Sequence, residues 1–66
     1  MASGIFYVPD CEHWGDIDHF KNIIKGNGGR IRKCSWSGSE DDEAIIIYEC
    51  DNVITKNQIK EALENG

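Results

Sequence analysis

The feature that most constrains this chain is Ala44-Ile45-Ile46-Ile47-Tyr48, an unbroken apolar run inside a sequence of only 66 residues. Four β-branched or aromatic residues in a row, with an acidic turn before them and Asp51-Asn52 after, make Glu43 to Cys50 the strongest strand in the protein. Strand side chains alternate, so Ala44, Ile46, Tyr48 and Cys50 point one way while Ile45 and Ile47 point the other. Both faces therefore carry apolar groups, which suits the middle of a sheet. A chain this short buries only about 60% of the surface its unfolded form exposes, so residues 1–66 make one domain with little material to cover two sheet faces.

The flanking segments supply the partners for that strand. Ile5 to Val8 reads as a short strand stopped by Pro9-Asp10, since proline fixes its own φ and holds Val8 extended. Trp14, Ile17, Phe20, Ile23 and Ile24 recur at helical spacing. That helix starts near Glu12, or at Ile17 with Asp16 as its N-cap, and Gly26 is its natural left-handed stop. From Arg30 the period changes to two: Arg30, Arg32, Cys34 and Trp36 alternate with Ile31, Lys33, Ser35 and Ser37, the pattern of an edge strand. Gly38-Ser39-Glu40-Asp41-Asp42 is turn chemistry and closes a hairpin onto the Ile-rich strand. Thr55 with Gln58 forms a capping box, Ile54 and Ile59 a hydrophobic staple, and Ile59, Ala62 and Leu63 a narrow stripe ending at Asn65-Gly66.

The order β-α-β-β-α predicts an α+β domain, a truncated ferredoxin-like arrangement without its last strand. A right-handed crossover from the first strand to a parallel neighbour, plus the hairpin, predicts strand order 1-3-2 with two helices on one face. The other face is then left with Ile45 and Ile47 or with Ile46 and Tyr48, joined by Ile5 and Tyr7 or by Phe6 and Val8. Burying one such side chain is worth about 1.5–3 kcal/mol, a large share of the stability of a small domain. A second copy or a docked protein is expected on that face, around Ile45, Ile47 and Tyr48 with Trp36 at the rim. The competing cover is the chain itself, through the loop from Gly38 to Asp42, Trp14 or Trp36.

Charge and processing signals narrow the function classes. Twelve acidic against seven basic residues give a net charge of −5, which argues against a protein that coats nucleic acid or anionic lipid. No apolar stretch is long enough for a membrane span or an export signal. Three cysteines cannot all pair in one chain and none lies in a C-x-x-C unit, so reduced thiols and a cytoplasmic location are expected. The charges are segregated. Asp10, Glu12, Asp16 and Asp18 precede or open the first helix, and Glu40, Asp41, Asp42 and Glu43 mark the hairpin tip; together they would suit a basic partner. Five of the seven basic residues, Lys21, Lys25, Arg30, Arg32 and Lys33, fall between positions 21 and 33.

That basic band supports a second reading, a nucleic-acid-binding module using Lys25, Arg30, Arg32 and Lys33, with Trp36 on the same strand face to stack a base. Within it, Gly26-Asn27-Gly28-Gly29 with its flanking basic residues resembles the G-x-x-G loop of K-homology RNA-binding domains, with Gly26 and Gly29 as the two glycines. The resemblance implies a backbone turn that clamps four nucleotides. It breaks off at Arg30, where the family opens a second helix and this chain reads as strand, and the loop lies further from the Val8-Pro9 pair than the family would have it.

A third reading takes Cys11, His13, Cys34 and Cys50 as metal ligands, or Cys11 with His13 or His19 as an activated thiol. Only Cys11 and His13 have the close spacing of a zinc knuckle, and Asp10, Glu12 and Asp16 around Cys11 favour the neutral thiol. Asp41, Asp42 and Glu43 lack calcium-loop spacing. The expectation is therefore a non-enzymatic protein–protein interaction module with no cofactor or metal, a small acidic inhibitor or adaptor acting on a basic, nucleic-acid-binding protein.

Overall fold

The computed structural model describes residues 1–65, ordered β1 (Ala2–Val8), α1 (Trp14–Gly26), β2 (Arg30–Ser35), β3 (Ala44–Cys50) and α2 (Val53–Asn65). The stripe end predicted at Gly66 lies outside the described residues. The Ile-rich run is the middle of a three-stranded sheet in the order β1-β3-β2, so the α+β class and the first five elements of the ferredoxin-like pattern are those observed. The parallel neighbour expected for β1 is not a neighbour. Both β1 and β2 run antiparallel to β3, which lies between them, so every ladder is antiparallel. Among the described residues no helix is long and apolar enough to cross a membrane.

β1 begins three residues earlier than its apolar run, because Ala2, Ser3 and Gly4 pair with Cys50, Glu49 and Tyr48. Poor strand formers are recruited here by a neighbouring ladder. Gly4 has a specific reason: a Cβ on it would lie 2.6 Å from the Tyr48 ring, so only glycine lets that ring lie across the strand. In β2 the register shifts between Ile31 and Lys33, leaving Arg32 as the extra residue of a bulge. The bulge breaks the simple alternation. Ile31 and Cys34 face Tyr48 and Ile46, while Arg30, Lys33 and Ser35 face Glu49, Ile47 and Ile45.

Both helices pack on the face that carries Val8, Ala44, Ile46, Tyr48 and Cys50, supplying Ile17, Phe20 and Ile24 from α1 and Ile59 and Leu63 from α2. Phe6 and Phe20 pack with ring centroids 4.9 Å apart. The helix termini differ from expectation in ways that follow from their caps. His13 is the N-cap of α1, and Asp16 sits at the third helical position with Oδ2 accepting from the backbone N–H of Glu12 at 3.0 Å and of His13 at 3.4 Å. Gly26 is the last helical residue. The left-handed residue is Gly28, at φ +91°, after Asn27 has closed the helix with its Nδ2 donating to the Ile23 carbonyl at 2.7 Å. α2 begins at Val53, capped by Asn52, whose Oδ1 accepts from the Thr55 N–H at 2.8 Å. Thr55 is thus the third residue of the helix, and the staple does not form, since Ile54 is 72% exposed.

Candidate interaction surface

No element among the described residues lies over the second face of the sheet. Its side chains form three cross-strand rows, read from β1 through β3 to β2: Ser3, Glu49 and Arg30; Ile5, Ile47 and Lys33; Tyr7, Ile45 and Ser35. Ile5 and Tyr7 are 58% and 56% exposed, and Ile45 and Ile47 are half-buried, forming a notch with Lys33 and Ser35. Of the pairings left open by the sequence, the uncovered set is therefore Ile45, Ile47, Ile5 and Tyr7. Tyr48 does not belong to it. The strand's alternation turns Tyr48 towards the helices, where it is 3% exposed and burial pushes its phenol pKa up.

Neither tryptophan covers this face or rims it. Trp36 packs against the core on the helix side and meets Trp14 edge-on at 5.1 Å. Its indole Nε1–H donates to the carbonyls of Ser39 and Asp42, both at 3.2 Å, so it acts as a post inside the β2–β3 connection. Ser37 Oγ donates to Asp42 Oδ2 at 2.7 Å, and the Asp42 N–H to the Ser39 carbonyl at 3.1 Å. With Gly38 at φ +88°, these bonds hold the acidic turn in a defined shape.

That turn places charge beside the apolar face. Tyr7 and Ile45 border the same depression as Asp41, Asp42 and Glu43. The acidic sets converge in part: Asp10, at φ +51° in the turn after β1, lies across a cleft from Glu40, Asp41, Asp42 and Glu43, with Cys11 in the wall. Asp16 belongs instead to the start of α1. The Glu12 and His13 N–H groups, with smaller help from the His13 and His19 charges, hold its carboxyl below its ordinary value.

At the opposite end the two arginines are engaged within the chain. Arg30 reaches Glu49 through Nε at 3.5 Å and Asp51 through Nη1 at 3.3 Å, and Arg32 reaches the other Glu49 oxygen at 3.7 Å. Asp51, then Glu49, push the Arg30 pKa up. Since both arginines reach Glu49 on the open side while Trp36 packs on the helix side, the stacking arrangement of a nucleic-acid reader is not assembled. Lys21 and Lys25 ride on α1, Lys33 beside Ile47. The glycine loop leads into β2, and Gly29 is closed in: a Cβ there would lie 2.5 Å from Ile24 Cγ2 and 2.8 Å from Ile59 Cδ1.

The thiols are spread over the covered side. Cys11 lies in the turn after β1, Cys34 opposite Ile46, and Cys50 at the far end of β3 opposite Ala2, donating to the Asn52 carbonyl at 3.3 Å. Among the described residues no three His, Cys, Asp or Glu side chains are placed to hold a metal ion. Burial first, then Asp16 and Cys34, push the Cys11 thiol up, away from the thiolate. What sequence reasoning missed was the internal use of Arg30 and Trp36: regular counting from the hairpin sets Ile31 opposite Glu49, and only the bulge at Arg32 brings Arg30 there, whereas the post-like role of Trp36 depends on loop geometry. Comparison with known proteins finds no matching family model, no matching curated protein and no matching solved structure.

Proposed function

We propose that this protein works by binding a basic protein, with Ile5, Tyr7, Ile45 and Ile47 as the dry centre of the contact and Asp10, Glu40, Asp41, Asp42 and Glu43 selecting the partner by charge. The observation that carries this reading is the contiguity of the two surfaces: Tyr7 and Ile45 share a depression with Asp41, Asp42 and Glu43. Apolar area supplies the affinity of such a contact, and the charged margin steers association and rejects acidic competitors. A binding role of this kind, as inhibitor or adaptor, uses no catalytic group, and three unpaired thiols suit a reducing cytoplasm.

The test is to recover partners with tagged protein, purify the one that binds directly, and remeasure its affinity against surface variants. Ile47→Lys is expected to abolish binding at every salt concentration, and Glu40→Lys/Asp41→Lys/Asp42→Lys to slow association most at low salt. A ligand that proves to be nucleic acid overturns the reading, as does binding that survives those changes and is lost in Arg30→Glu/Arg32→Glu.

A further inference from the structure

The two edges of the sheet are built differently, and only one is defended. β2 carries Arg30, Arg32 and Lys33 along its length and is bent by the bulge at Arg32, the devices by which edge strands resist further pairing. β1 has none of them. Its seven residues, Ala-Ser-Gly-Ile-Phe-Tyr-Val, include no charge and no proline, and its register with β3 runs unbroken from Ala2 to Val8. On its outer side, no strand among the described residues takes the N–H and C=O groups that alternate residues present.

We propose that two copies of this chain pair antiparallel through the outer edges of β1, joining their sheets into one of six strands. A second copy fits this edge for three reasons. An uncharged strand is its own complement across a two-fold axis, with no like charges brought opposite each other. The groove beside β1 is walled by Lys56, Lys60 and Glu64 of α2, with Lys56 and Glu64 about 12 Å apart along the helix. A two-fold axis midway between the two β1 edges sets the second α2 antiparallel, bringing Lys56 towards Glu64 of the other copy. Finally, the antiparallel arrangement sends the acidic ends, beyond Val8 in each copy, to opposite limits of the joined sheet. Ile5, more than half exposed in one chain, then meets Ile5 of the other copy near the axis, at the centre of a doubled apolar face.

Sedimentation equilibrium combined with amide hydrogen exchange tests this on the full chain. The expected result is a mass twice that of one 7.4 kDa chain, with every backbone N–H of β1 between Ser3 and Val8 protected. Ile5→Lys, which sets two like charges together near the axis, is expected to give a folded monomer in which the outward amides of β1 exchange freely. Ile47→Lys, in the middle of the open face and away from the edge, is expected to stay dimeric. A single-chain mass across the accessible concentration range overturns the proposal. So does a dimer whose outward β1 amides remain unprotected and which Ile47→Lys dissociates, since that is face-to-face association. A single-chain mass leaves the binding of a basic protein untouched, whereas face-to-face association would occupy the surface assigned to that partner, so failure of this pairing and failure of the proposed function are distinguishable.

Discussion

Ile46 and Ile47 are consecutive residues of one strand with the same side chain, yet Ile46 is fully buried and Ile47 is only half-buried. The contrast holds across the sheet. Val8, Ala44, Ile46, Tyr48 and Cys50 lie under two helices, while no element among the described residues lies over Ile5, Tyr7, Ile45 and Ile47. The strands supply apolar groups to both faces, and the helices, at thirteen residues each, cover one. Folding alone therefore accounts for the first set of side chains and not for the second, which is the physical reason to look for function there.

The sharpest way to break that comparison is to truncate each isoleucine. Ile46→Ala should cost about 2–5 kcal/mol of unfolding free energy, enough to unfold a domain of this size, and the milder Ile46→Val about 0.5–1.5 kcal/mol. Ile47→Ala on the open side should stay within about 1 kcal/mol. Urea titration followed by circular dichroism measures all three. Equal losses at the two positions would mean that the open face is buried in solution, and repeating the titration at several protein concentrations would show whether a second copy buries it.

A smaller effect separates two glycines of the loop that leads into β2. Gly29→Ala places a methyl group against Ile24, Ile59 and the Ile24 carbonyl, where the helix layer meets the start of β2, and should cost about 1–3 kcal/mol. Gly26→Ala meets nothing within 4 Å at the end of α1 and should be neutral or stabilising by up to about 1 kcal/mol. If both substitutions cost the same, the close packing of α1, α2 and β2 around Gly29 is not what fixes that junction.

Much of this contrast was legible in the sequence. The period of Trp14, Ile17, Phe20 and Ile24 marked α1, and the two-faced composition of Ala44 to Cys50 marked the central strand, because both depend on spacing that any partner would respect. Helix ends were less readable. Thr55 and Asn52 are both good caps, and Asn52 prevails because β3 ends at Cys50 and delivers the chain to it. Gly26 and Gly28 are both good stops, and the choice fell to Gly28 because Asn27 closes the helix through the Ile23 carbonyl. The positions of Trp36 and Arg32 were hidden for a different reason: one extra residue in a bulge changes which face every later side chain occupies, and alternation alone does not reveal it.

The smallest expected effect concerns how the helix layer is fastened. Nothing in the hydrogen bonding between the strands titrates, whereas α1 is closed at its start by the Asp16 carboxylate, which takes the N–H groups of Glu12 and His13 and lies 3.9 Å from His13 Nε2. Those contacts favour the ionised form, so the folded protein holds Asp16 below its ordinary value while the unfolded chain does not. The resulting stabilisation is fully present above the unfolded carboxyl pKa, near about 3.9, and is lost as pH falls through the lower folded value. Asp16→Asn keeps a side-chain acceptor but removes the charge. Its stability deficit relative to the unsubstituted chain should therefore shrink as pH falls below the ordinary carboxylate range, the eleven other acidic residues being common to both proteins. Denaturant titrations of the pair across that range measure the difference directly. A deficit that persists undiminished at the acid end would mean that amide geometry, rather than the Asp16 charge, holds the start of α1 over the covered face.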